Sequence, residues 1–71
     1  MRFTSVITRE DSWFVARCLE IEVASQGKSV EEALSNLREA LELYLEDADP
    51  PQLPSEPPIV ASIEVTLPIP A

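Results

Sequence analysis

Thirteen carboxylates stand against five basic residues in this 71-residue chain, and four of them, Asp11, Glu20, Glu22 and Glu64, lie on or beside segments of strand character. Acidic side chains converging from a sheet can hold two divalent ions for hydrolysis of a phosphodiester, so these four are the natural candidates for metal chemistry. That chemistry needs convergence on one buried point. Alternation along an extended chain instead puts Glu20 and Glu22 on one strand face, the usual place for solvated carboxylates. No metal site and no cofactor is therefore expected.

Nucleophilic catalysis lacks its parts as well. There is no histidine to serve as a base, and no lysine is placed to activate a serine or threonine. Cys18 is the single cysteine. It has neither a disulfide partner nor an activating histidine, and on a strand with Phe14 and Ala16 it reads as a small buried hydrophobe. The one glycine, Gly27, belongs to no phosphate-binding pattern. Binding, not bond-breaking, is the expected activity. Trp13 and Phe14, following a polar turn, offer an aromatic anchor for a partner, or else core for Phe14 and sheet cover for Trp13.

The net charge of −8 repels a phosphate backbone and favours a basic partner, so direct nucleic-acid binding is not expected. No run of about 18 apolar residues and no signal-like start is present, which predicts a cytoplasmic chain without a membrane span. A chain of this size buries only about 60% of its unfolded surface. Without disulfides, self-association is the common route to added stability, and a homodimer or larger homo-oligomer is expected.

The elements that would carry these residues are legible in the pattern. Arg2 to Arg9 is rich in β-branched residues, Glu10-Asp11-Ser12 has turn chemistry, and Trp13 to Cys18 is extended again, which predicts a hairpin. Phe14, Ala16 and Cys18 share one face, and Trp13, Val15 and Arg17 share the other. A third strand is expected over Ile21–Ser25, paired with the second and ended by a Gln26-Gly27 turn in which glycine supplies a positive φ. Ser29 and Glu32 have capping-box spacing, predicting a helix start in which Glu32 reaches back to the cap amide. Val30, Ala33, Leu34, Leu37, Leu41, Tyr44, Leu45 and Ala48 then form one apolar stripe to be buried on the sheet. Leu43 points into the opposite acidic face, either as an ordinary exposed leucine or as a contact with another chain or the C-terminal segment. Glu46, Asp47 and Asp49 crowd the negative end of the helix dipole.

Half of residues 49–58 are proline, predicting a semi-rigid connector. Ile59 to Leu67 alternates once more, predicting a last strand, ended by Pro68 and Pro70, that pairs with its own sheet or with a neighbouring subunit. The expected architecture is α+β in the order β-β-β-α-β: a three-stranded antiparallel sheet with one helix on one face, followed by a C-terminal strand. Residues 1–48 form the core, 49–58 the connector, and 59–71 the strand and tail.

The segment CLEIEVASQGKSVEEALSNLREALELYLED resembles the N-terminal domain of HicB-type antitoxins of bacterial and archaeal toxin–antitoxin pairs. Ser25-Gln26-Gly27, Ser29, Glu31-Glu32-Ala33, Asn36, Glu39-Ala40 and the Leu-Tyr-Leu ending at Leu45 carry the likeness, over roughly residues 1–48. Leu19 to Ala24 stand where many members have a Pro-Gly-Cys element. The resemblance implies a degraded RNase H-like fold without nuclease carboxylates. It also implies neutralisation of a small basic HicA-type toxin, an mRNA-cleaving protein, by covering its active surface. DNA binding, which many members carry on a further C-terminal domain, is not carried over. The expected partner-facing residues are Glu10, Asp11, Trp13, Glu20, Glu22 and Glu64, and the expected oligomer contacts are Leu43, Ile63, Val65 and Leu67. Competing readings are an orphan HicB-like module that self-associates or binds a small ligand without a toxin, and a residual nuclease.

Overall fold

The computed structural model describes residues 1–69 and consists of β1 (Ser5–Glu10), β2 (Trp13–Cys18), β3 (Ala24–Gly27) and α1 (Val30–Glu46). The three strands form one antiparallel sheet in the order β1-β2-β3. The expected α+β class, the hairpin, the central second strand and the single helix are all present.

The hairpin closes at the facing pair Glu10 and Trp13 through the two-residue turn Asp11-Ser12. Asp11 takes a φ of 57°, and no other non-glycine residue has a positive φ among the described residues. The two-residue hairpin turns whose twist matches that of the flanking strands need a positive φ at their first position. Aspartate tolerates that region better than most L-residues.

Facing residues across an antiparallel pair share a sheet face. Ile7 lies opposite Ala16, and Ala16 opposite Ser25, so Phe14, Ala16 and Cys18 look towards the helix as expected. The core is small: Ala16, Ala33, Leu37 and Leu41 are buried, with Phe3, Ile7, Phe14, Cys18, Ile21 and Val23 packed around them. The apolar stripe of α1 is wider than the sheet that covers it. Leu34 is exposed where α1, lying on β3 and β2, leaves the β1 side uncovered, and Val30 and Tyr44, near the two ends of the helix, are exposed as well.

The third strand starts later than expected and has a different end. It runs over Ala24–Gly27, so Gln26 and Gly27 are strand residues and not a turn. Residues 19–23 form a loop closed by the Cys18 amide donating to the Val23 carbonyl (2.9 Å), from which Ile21 and Val23 reach the core. Gly27 has no positive φ. Its requirement is steric: a Cβ there would stand 2.5 Å from the Ala33 nitrogen and 2.8 Å from the Glu32 carbonyl carbon. The first turn of α1 sits directly on the backbone of β3.

That turn is fixed by Ser29, the N-cap, whose Oγ accepts from the Glu32 amide (3.0 Å). Glu32 returns a bond one residue earlier than the capping box predicts, its Oε1 accepting from the Lys28 amide (3.3 Å). Asn36 donates its Nδ2 to the Gln26 carbonyl (2.8 Å) and ties the helix to the outer edge of β3. Past Glu46 the helix ends at Asp47 without a basic residue in its last turn.

The expected C-terminal strand is not formed. Residues 59–67 are extended, and Ile59 and Ile63 are 94% and 86% exposed. A strand needs a neighbour for its backbone groups, and among the described residues none is paired with this segment. Pro70, expected to help end that strand, and Ala71 lie outside the described residues.

Gly27→Ala is expected to lower unfolding free energy by about 1–3 kcal/mol, the range for forcing extra atoms into a packed contact. Ser29→Ala is expected to cost about 1 kcal/mol through loss of the cap. Urea denaturation followed by circular dichroism measures both, and a neutral Gly27→Ala would contradict the close approach.

Candidate functional site

The sheet face turned away from α1 carries Val6, Thr8 and Glu10 from β1, Trp13, Val15 and Arg17 from β2, and Ala24 and Gln26 from β3. Among the described residues no second layer covers it, so the half-buried valines and the 38% exposed Trp13 form an apolar strip framed by polar groups. Glu10 accepts from Thr8 Oγ1 (3.1 Å) and pairs with Arg17 Nη1 (3.4 Å). Lys28 Nζ stands over the Trp13 ring at 5.9 Å from its centroid, which orients the indole at modest energetic gain.

The expected partner-facing residues separate into three groups. Glu10, Asp11 and Trp13 are brought together at the hairpin tip, because Glu10 and Trp13 face each other across the turn that Asp11 opens. Glu20 and Glu22 lie in the 19–23 loop at the opposite end of the sheet, and not on a strand face as alternation suggested. Glu64 lies on the extended C-terminal segment. Among the described residues no three His, Cys, Asp or Glu side chains lie close enough to share a metal ion.

Glu20 has an internal role that spacing did not reveal. Its Oε1 accepts from the Thr4 amide (2.8 Å) and is 3.5 Å from Cys18 Sγ. The Thr4 hydrogen bond holds its carboxyl below the usual glutamate range, outweighing the opposite effect of desolvation. Glu20 thus fastens the start of β1 to the loop after β2, next to the bond from the Leu19 amide to the Thr4 carbonyl (2.9 Å). Glu22 is exposed.

Of the expected oligomer contacts, Leu43 is 64% exposed on the free side of α1, and Ile63, Val65 and Leu67 are 86%, 70% and 77% exposed on the extended segment. Electrostatically the acidic surplus is open. Arg17 pairs with Glu10, Arg38 with Glu42 (3.6 Å), and Arg9 stacks over Phe14 at 5.6 Å, so most of the few cations already have partners within the chain.

Residues 4–59 match the family model described as "Family of unknown function (DUF7387)". The chain belongs to that family. The matched span holds all three strands, α1 and the connector, and so includes the hairpin tip and the open face of this DUF7387 member. The chain is also similar to a "UPF0150 protein" of Helicobacter pylori (strain J99), with 36% identity over 69 residues, covering 92% of this chain and 96% of the relative. No solved structure matches. No helix among the described residues is long and apolar enough to cross a membrane.

The lowered pKa of Glu20 has a signed consequence. A carboxyl that ionises more readily when folded adds stability above its unfolded pKa, and this is lost as pH falls through the folded value. The urea midpoint should therefore fall between about pH 5 and the acid side of the glutamate range, and Glu20→Gln should flatten that fall. An unchanged pH profile in Glu20→Gln would show that the Thr4 contact does not form in solution.

Proposed function

We propose that this protein is a non-catalytic, antitoxin-like binding protein that neutralises a small basic mRNA-cleaving toxin of the HicA type by masking its active surface. Kinship supports the reading, since UPF0150 is the HicB-like family. The observation that carries it is the hairpin tip, where Glu10, Asp11 and Trp13 stand together beside an uncovered sheet face. An aromatic anchor flanked by carboxylates fits a cationic RNA-binding surface: the ring supplies desolvated contact area and the charges speed encounter. Such work belongs in the cytoplasm, where messenger RNA is found.

The second reading is a HicB-like module that self-associates or takes a small ligand and has no toxin. The unpaired apolar segment after the connector favours its self-associating form.

The test is co-expression with the product of an adjacent reading frame encoding a small basic protein. Co-purification and rescue of growth are expected, with association slowing as salt is raised. Trp13→Ala should weaken the complex by about 30-fold or more, the effect of losing a central aromatic anchor. Failure of both co-purification and rescue would remove the toxin reading. Cleavage of RNA by the protein alone with Mg²⁺ or Mn²⁺, abolished by Asp11→Ala or Glu22→Ala, would overturn the non-catalytic one.

A further inference from the structure

The two sheet edges differ. At β3 the outer edge is closed by the helix, with Asn36 on the Gln26 carbonyl and the first turn of α1 against Gly27. At β1 nothing equivalent is present among the described residues. The pair Thr4 and Leu19 is hydrogen-bonded towards β2, as the closing pair of a two-residue hairpin must also be. Alternation between them directs the backbone groups of Ser5, Ile7 and Arg9 outward, where no strand among the described residues accepts them. Ser5 to Thr8 includes neither proline nor charge, the usual devices that blunt an exposed edge.

Beside that edge runs an open groove of about 520 Å³, bounded by Met1, Phe3 and Ser5 on one side and by Leu34, Leu41 and Leu45 of α1 on the other. It is where the apolar stripe of the helix overhangs the sheet. A fourth strand alongside β1 would both complete the ladder and cover these leucines.

The same chain carries a segment with the matching pattern. Residues 59–67 are free of proline and bracketed by Pro58 and Pro68, so every residue in the window can donate a backbone hydrogen bond. Ile59, Ala61, Ile63, Val65 and Leu67 alternate with Val60, Ser62, Glu64 and Thr66, giving one wholly apolar face. The segment stands away from its own domain. The Cα radius of gyration is 15.6 Å, against about 11 Å for a compact chain of this length. The connector directs it outward: Leu53 to Pro57 pass Met1, Arg2 and Glu20 at the start of β1, and the stiff Pro57-Pro58 step opposes a tight reversal back along that strand.

We propose that residues 59–67 of one copy add as a fourth strand to the β1 edge of a second copy, their apolar face filling the groove between β1 and α1, with the exchange reciprocated across a two-fold axis. Stable specific interfaces bury about 1,200–2,000 Å² in total, which is the area that two reciprocally docked arms have to supply. Exchange of an identical element is a low-cost route to a dimer and supplies the core that so short a chain lacks. The inference stands apart from the toxin reading, and its test uses the full chain alone.

Sedimentation equilibrium at micromolar concentration should give a dimer. The Ile63→Asp/Val65→Asp double variant should be monomeric, its dissociation constant raised on the order of 100-fold or more by charges placed in an apolar groove. Its far-UV circular dichroism should retain the helix, because neither side chain touches the core of its own chain. Hydrogen exchange at the amides of Ser5, Ile7 and Arg9 should be slow in the wild type and fast in the double variant. Ser5→Pro, which removes one outward donor and leaves the β1–β2 ladder intact, should weaken the dimer from the receiving side. A monomeric wild type would overturn the proposal, and slow exchange at those amides in that monomer would mean that the arm returns to its own sheet. A dimer that survives the double substitution would overturn it equally.

Discussion

The architecture depends on one close approach, the seating of the first turn of α1 on the backbone of β3 at Gly27. No side chain fits between them, since even a Cβ would meet the Ala33 nitrogen at 2.5 Å. Small residues on the other surfaces, Ala16 on β2 and Ala33 on α1, let the helix sit low on the sheet, and Leu37 and Leu41 then fill the space towards β1. Ser29 and Asn36 hold the helix in that position, one by capping its first turn and the other by bonding the free carbonyl of β3. A helix held so firmly over β3 cannot also cover β1.

Most of the remaining surface follows from this asymmetry. On the helix side, the apolar stripe extends past the sheet and leaves a groove beside β1. On the other side, a three-stranded sheet with a single helix has one face without a layer, and there Trp13, Val6 and Val15 meet solvent. The open face and the open edge suit different occupants. The face has Trp13 beside Glu10 and Asp11 at the hairpin tip, the feature on which the proposed basic partner rests. The edge offers unpaired backbone groups and bare leucines, which suit an apolar strand. The two proposed binding surfaces therefore draw on different residues of one small domain.

The acidic surplus acts in more than one way. Glu20 and Glu32 serve the fold itself, each accepting a backbone amide, that of Thr4 in a part-buried position and that of Lys28 at the surface. Glu31 and Glu32 sit at the favourable end of the helix dipole, whereas Glu46 and Asp47 sit at the unfavourable end. Glu10, Asp11 and Trp13 form the tip of the hairpin, where charge is exposed on a rigid turn. Carboxylates identical in chemistry thus differ in role according to whether a backbone donor lies within reach.

What the sequence determined by itself was everything governed by short-range periodicity and local hydrogen bonding. The hairpin at Glu10-Asp11-Ser12, the inward face of Phe14, Ala16 and Cys18, the cap at Ser29 and the stripe along α1 follow from alternation, from 3.6-residue repetition and from side chains bonding their own neighbours. Only the tertiary structure decided the roles of Gly27, Asn36 and Glu20 and the fate of residues 59–67. Gly27 is required by a neighbour distant from its own turn chemistry, Asn36 and Glu20 bond backbone groups 10 and 16 residues away, and a segment with strand pattern remains unpaired. Pattern specifies which face of an element is apolar; whether a partner lies against that face depends on how separate elements meet in space.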